Sequence, residues 1–196
     1  MIPLDKFGVP YGSNRSVMAQ PKPRNRFRIQ LFGFNDQDGG EGTKPIILNT
    51  NSVSLPKVSY TEQKMHRYNT ESSYVTRKSW QPVDLILRDE IQNGVLSAVT
   101  GHAYKIHNYF RRIIRGNTQS VDYKFEMWIQ IMDGSSADDT AYGGTINTWV
   151  LEGCTITDID YGDLDYAESG FNEISLTIKP DNCYCVDHDG NLVGGK

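Results

Sequence analysis

The sequence predicts a mainly β protein of α+β type, an antiparallel sheet system with one packed α-helix. Three observations carry this expectation. Short runs with an apolar residue at every second position recur along the chain. Only one stretch repeats its apolar residues at every third or fourth position, and the intervening segments are rich in Gly, Pro, Asn and Asp. With 196 residues, 38% of them hydrophobic and 22% charged, the chain is long enough to bury one real core.

Residues 1–25 hold Pro3, Pro10, Pro21 and Pro23 among Gly, Ser, Asn and scattered basic residues, which blocks regular structure and predicts an extended arm. Phe27, Ile29 and Leu31 then alternate with Arg26, Arg28 and Gln30, the period of a strand with one buried face. After the turn-rich NDQDGGEGTKP, the residues Ile46 to Leu48 and Val53 to Leu55 predict two short strand pieces, and Pro56 assigns the next segment to an edge or a bulge.

Residues 57–78 are polar and tolerant of β structure without a buried stripe, which predicts a long hairpin leaving the body of the domain. Such a hairpin has little to bury by itself, so a neighbouring subunit is the natural cover. Val83, Leu85 and Leu87 resume the alternation. From Ile91 the spacing of Val95, Val99, Ala103, Ile106, Phe110 and Ile113 predicts a helix over 90–114. Asp89 and Glu90 stand at its start, and Arg111, Arg112, Arg115 and Gly116 at its end.

Three strands complete the pattern. Tyr123, Phe125, Met127, Ile129 and Ile131 line one, and Ile174, Leu176 and Ile178 another. Between them Trp149 and Leu151 change phase to Cys154 and Ile156 across Gly153, the signature of a bulge. The sum is about seven strands and one packed helix.

Charge is split along the chain. Residues 1–30 carry six basic and one acidic side chain, residues 31–119 eleven and eight, and residues 120–196 three and fifteen. Complementary ends of this kind are expected where copies of one chain meet head to tail, and opposite faces of a monomer would give them too. No stretch approaches the roughly 18 apolar residues that span a bilayer, and the N-terminus lacks a secretory pattern, so synthesis and folding in the cytoplasm are expected. Cys154, Cys183 and Cys185 are expected as reduced thiols, their odd number arguing against a disulfide framework.

Enzyme motifs are nearly absent: there is no P-loop, no GxSxG, no HExxH and no dinucleotide-type GxGxxG. His66, His102, His107 and His188 read as solvated or helix-surface residues. CYCVDHDGN at 183–191 imitates parts of zinc and calcium sites, but Cys183, Cys185 and His188 want a fourth ligand, and in the Asp187, Asp189, Asn191 series the calcium-loop glycine is displaced and the closing Glu is missing. No metal or cofactor is expected. The run holding Asp158, Asp160, Asp163, Asp165 and Glu168 reads as a solvated turn in preference to a hydrolytic carboxylate pair. A monomeric adaptor using the 57–78 hairpin for recognition is a further alternative.

The segments VSLPKVSYTEQKMHRYN (53–69), WQPVDLILRDE (80–90), KIHNYFRR (105–112) and WVLEGCTITDIDYGDLDYAESGFNEISLTIKPDNC (149–183) resemble, in order and spacing, the tail tube proteins of contractile-tailed phages, whose fold is related to the type VI secretion tube protein. The resemblance covers about residues 25–183. It implies two packed antiparallel sheets forming a small barrel or sandwich with one flanking α-helix, as a tail tube-like barrel domain over 26–183, an extended inter-ring hairpin over 51–80, and a C-terminal tail over 184–196. It further implies hexameric rings whose inner strands join and which stack into the tube that conducts the genome during ejection. A tube-initiator ring in the baseplate hub or a terminator ring of the same fold is the alternative.

By that resemblance Leu55 and Pro56 begin the hairpin. Its candidate inter-ring contacts are Leu55, Pro56, Lys57, Tyr60, Lys64, Arg67, Tyr68, Tyr74 and Arg77, and Glu62, Glu71, Asp84, Glu126 and Asp158 are candidate lumen-facing carboxylates. The implied partners are the chain itself, the tail sheath, the baseplate hub and the tail terminator. Phage DNA would pass without specific binding, in a virion tail assembled in the host cytoplasm, with no membrane contact and no enzymatic activity.

Overall fold

The computed structural model describes residues 22–34, 48–108, 113–114, 123–132, 144–167 and 169–194. Alternating side chains produce its strands in chain order: β1 (Phe27–Phe32), β2 (Thr50–Val53), β3 (Val58–Arg67), β4 (Thr70–Trp80) and β5 (Val83–Arg88). Next come the helix α1 (Gly94–Ile106), β6 (His107–Asn108), β7 (Ile113–Ile114), β8 (Phe125–Met132), β9 (Thr145–Asp160), β10 (Glu173–Lys179) and β11 (Asn182–Asp187). Most of the arm predicted over 1–25 and the pieces at Ile46 and Ile47 lie outside the described residues.

Seven strands join in one antiparallel sheet in the order β1-β8-β9-β10-β5-β2, with β11 also pairing to β9. The sixteen residues of β9 serve both halves. Its first part pairs with β8 and β11, and its last part, from Thr155 to Asp160, pairs with β10. The bend between them sits at Gly153. Phe125 opposes Cys154 while Met127 opposes Leu151, so β9 carries an extra residue there, and Gly153 takes φ 63°. A Cβ at this position would lie 2.5 Å from Asp181 Oδ2, which with the positive φ favours glycine.

The bend folds the sheet into two layers that face each other. Ile29, Leu31, Met127, Ile129, Leu151 and Cys183 from the first layer meet Leu85, Leu87, Ile174, Leu176 and Ile178 from the second, all 4% exposed or less. Burying such a set is the dominant favourable term in folding. Val95, Ala98 and Val99 of α1 join the same cluster. The layers do not close into a barrel. β1 and β2 end the strand order, and a cleft of about 650 Å³ lined by Phe27, Ile29, Leu48 and Val53 lies between them.

Four expectations are corrected. The helix is Gly94–Ile106 and not 90–114. Asn93 at φ 57° interrupts the chain before it, Ile91 is fully exposed, and β6 pairs with β7 after it. The apolar spacing holds on the helix through Ile106, whereas Ile113 stands in β7. The C-terminal tail does not begin at residue 184, because β11 runs to Asp187 in register with β9. Of the expected face of β8, Tyr123 precedes the strand and Ile131 is only half-buried. Finally, His102 is not on the surface. It is fully buried, stacked on Phe34 at a centroid distance of 4.5 Å with Phe125 edge-on at 5.1 Å.

Candidate assembly surfaces

The hairpin of β3 and β4 pairs ten residues with eleven, and apart from the half-buried Ser59 and Trp80 every one of them is exposed. The strands form because their Thr, Tyr, Val and Ser side chains suit a pleated ribbon, and a register shift after Thr61 adds twist. Among the described residues nothing covers either face. The hairpin is anchored at its base, where the Gln81 N–H donates to the Lys57 carbonyl at 2.8 Å and Lys78 Nζ sits 4.2 Å from the Trp80 ring centroid.

The sequence-predicted contact residues are distributed along this element and its approach. Leu55 and Lys57 are exposed before it and Pro56 is half-buried. Tyr60, Lys64, Arg67, Tyr68, Tyr74 and Arg77 are exposed along both strands and the tip. Lys64 Nζ lies 2.9 Å from Glu71, an ion pair internal to the hairpin.

A second surface is the outward face of the β9-β10-β5-β2 layer. In β10 the residues Ile174, Leu176 and Ile178 point into the core, so Glu173, Ser175, Thr177 and Lys179 point out. Thr177 is directly opposite both Asp158 of β9 and Asp84 of β5, and its hydroxyl donates to Asp84 Oδ1 at 3.4 Å. Asp160 opposes Ser175, and Glu173 accepts from Asn51 Nδ2 at 2.6 Å. The face therefore holds four carboxylates against the cations of Arg88 and Lys179.

Of the predicted lumen-facing residues, Asp84 and Asp158 are brought together here, while Glu62 and Glu71 lie on the hairpin. Glu126 is not brought to this face. It points outward from β8 on the opposite layer and accepts from the Trp128 indole N–H. The two outward faces of a sandwich look away from each other, so one channel cannot be lined by both. Asp160 and Glu173 were missed for this face, although the alternation around Ile174, Leu176 and Ile178 already placed Glu173 outward.

The third surface is the loop from Asp160 to Asn172. Asp160 Oδ1 accepts from the Gly162 N–H at 3.0 Å and Asp165 Oδ1 from the Ala167 N–H at 2.9 Å, two Asx turns that shape the loop. Gly162 takes φ 75°, and a Cβ there would be 2.7 Å from the Glu173 carbonyl oxygen. Leu164, Tyr166 and Phe171 are at least 76% exposed, with Phe171 under the Arg88 guanidinium at 5.0 Å. The signal for this surface was large apolar residues inside a run of carboxylates.

The residues that imitate a metal site are used otherwise. Asp187 Oδ1 accepts from the Asp189 and Asn191 N–H groups at 3.0 and 2.8 Å, which holds its carboxyl below the usual range and closes the turn after β11. Burial pushes the Cys183 thiol up to about 12 and the Cys154 thiol higher still, whereas Cys185 is half-buried. Among the described residues no three of His, Cys, Asp and Glu are grouped to hold a metal ion. No described helix is long and apolar enough to cross a membrane.

No protein-family model and no curated protein matches the chain at the sequence level. Its fold, in contrast, is shared with tube-type components of contractile particles. A chain of the anti-feeding prophage baseplate, solved with six-fold symmetry, superposes with a TM-score of 0.63 at 12% identity over 87% of this chain and 99% of that one. A chain of the tube-terminating cap of the same prophage gives 0.61 at 10% identity, over 89% and 96%. The extended sheath-tube complex of the extracellular contractile injection system PVC gives 0.59 at 13% identity, over 86% and 93%. The fold class expected from the sequence, mainly β with one helix and tail tube-like, is the one observed.

Proposed function

We propose that this chain is a structural, non-enzymatic subunit of a contractile phage tail, and that six copies form a ring which stacks with others into the tail tube conducting the genome during ejection. The observation that carries this reading is the β3–β4 hairpin. It extends 21 strand residues into solvent without cover from the other described residues, and an isolated two-stranded ribbon is marginal in water. A neighbouring copy supplies what is missing. The open ends of the strand order at β1 and β2 support the same reading, since pairing across subunits removes exposed edges. The six-fold symmetry of the similar baseplate supports the ring size.

In such a ring the Asp84–Thr177–Asp158 face lines the channel. Carboxylates there repel phosphate, so DNA slides without being gripped. The sheath, the baseplate hub and a terminator are the further partners, in a particle assembled in the host cytoplasm. The similarity to baseplate and cap chains also favours a second reading, an initiator or terminator ring of the same fold.

Electron microscopy of the purified full chain at high concentration tests the proposal. Six-membered rings or hollow tubes are expected, and a strictly monomeric particle overturns it. Rings that never stack by themselves select the initiator or terminator reading.

A further inference from the structure

The hairpin and the Asp160–Asn172 loop stand at opposite poles of one layer. β5 and β10 run antiparallel, with Val83 opposite Ile178 at one end and Arg88 opposite Glu173 at the other. The hairpin leads into β5 at the Val83 end, through Gln81 and Pro82. The loop leads into β10 at the Glu173 end, where the Asp89 N–H donates to the Asn172 carbonyl at 3.0 Å. A six-residue strand, roughly 20 Å, separates the two poles, and the hairpin reaches roughly 30 Å beyond its own.

Their chemistry is complementary. Residues 57–80 hold five basic and two acidic side chains, and one of the acids, Glu71, is already paired to Lys64. Residues 160–172 hold four acidic side chains and no Lys or Arg. Both surfaces also expose large apolar groups: Tyr68 at the hairpin tip is fully exposed, as is Tyr166 of the loop, with Leu164 at 89%. A carboxylate-rich, aromatic surface with shaped Asx turns suits a basic, tyrosine-bearing ribbon and repels nucleic acid.

Resting on the ring-stacking reading above, we infer that the Asp160–Asn172 loop is the receiving surface for the β3–β4 hairpin of a second copy of this chain, docked head to tail. A contact between opposite poles of identical chains propagates along one axis wherever its rotation does not close a ring, as a tube requires. Leu164 and Tyr166 bury against Tyr68, and Asp163 and Asp165 meet Arg67, which stands beside Tyr68 at the tip. The apolar contact supplies affinity, and the charges set register and speed encounter. Each exposed pair is weak and screened by salt, but a ring presents the contact once per subunit.

Charge reversal in the full chain tests this. With D163K/D165K, rings are expected to persist while the protein concentration needed for tube growth rises by about tenfold or more, because six repulsive contacts act together per ring. R67E should do the same, and the three changes combined should restore growth. Tyr68→Cys with Leu164→Cys, in a C185S background, should give disulfide-linked ladders from oxidised tubes. Tubes from D163K/D165K at wild-type concentrations, a combined variant no better than either parent, or tubes without ladders would each overturn the docking while leaving the ring reading intact. Wild-type protein that forms no rings overturns both.

Discussion

The imidazole of His102 lies flat on the ring of Phe34, with an interplanar angle of 2° and its Nδ1 at 2.6 Å from the Phe34 carbonyl oxygen. The contact ties the middle of α1 to the end of β1, and Phe125 meets both rings edge-on. Burial disfavours the charged ring and lowers its pKa from 6.5 to about 4, against the partial support of the Phe34 carbonyl.

Below pH 6.5 the unfolded chain therefore takes up a proton that the folded chain refuses. The stabilisation is complete above pH 6.5 and is lost as pH falls through the window to about 4, a change of about 3 kcal/mol. Urea titrations across this window should show that loss in the wild type and a shallower slope in His102→Phe. Parallel slopes in the two proteins would remove His102 as the cause.

Gly153 and Asp181 predict a coupled pair of substitutions. Gly153→Ala forces an alanine into a left-handed conformation, costing about 1–2 kcal/mol, and drives its Cβ against the Asp181 carboxylate. Removing that carboxylate, which pairs with Lys124 at the surface, relieves the clash but not the backbone strain. Denaturation midpoints should show Gly153→Ala less costly in an Asp181→Ala background, by roughly 0.5 kcal/mol or more. Additive effects would mean the carboxylate swings aside freely.

The three thiols should separate by reactivity. Cys154 is fully buried and Cys183 nearly so, with pKa values raised by desolvation, and thiolate is the reacting form. Iodoacetamide on native protein should label Cys185 alone, with the other two labelled only in denaturant. Mass spectrometry showing early Cys183 labelling would mean that β11 peels from β9.

Asp84 and Asp158 predict a change in what an assembled tube retains. Reversing both with D84K/D158K places cations on either side of Thr177 in place of the two carboxylates. Variant tubes should hold single-stranded DNA with a salt dependence of roughly 0.7 log units per phosphate engaged, while wild-type tubes release it. Equal retention by both would place this face away from the channel.

The strands were legible wherever one face is buried. Val83, Leu85 and Leu87, or Ile174, Leu176 and Ile178, announce their inward side by alternation, and the phase change at Gly153 announced the bulge. The helix was legible in existence and not in extent, because periodic spacing cannot distinguish Ile113 on a helix from Ile113 in a strand. His102 was misplaced because a histidine within an apolar stripe reveals nothing about the aromatic residues that fold over it from Phe34 and Phe125.

Alternation and composition by themselves determined that this chain would be β-rich, carry one helix, and extend a polar hairpin that its own core does not cover. These are local properties, set by where successive side chains point. Which carboxylates share a face was decided only in the tertiary structure, since Asp84, Asp158 and Thr177 come from three strands and meet only through cross-strand register. The same register separates Glu126 from them and sends the hairpin and the acidic loop to opposite poles. Register depends on pairing between distant segments, and no single segment contains it.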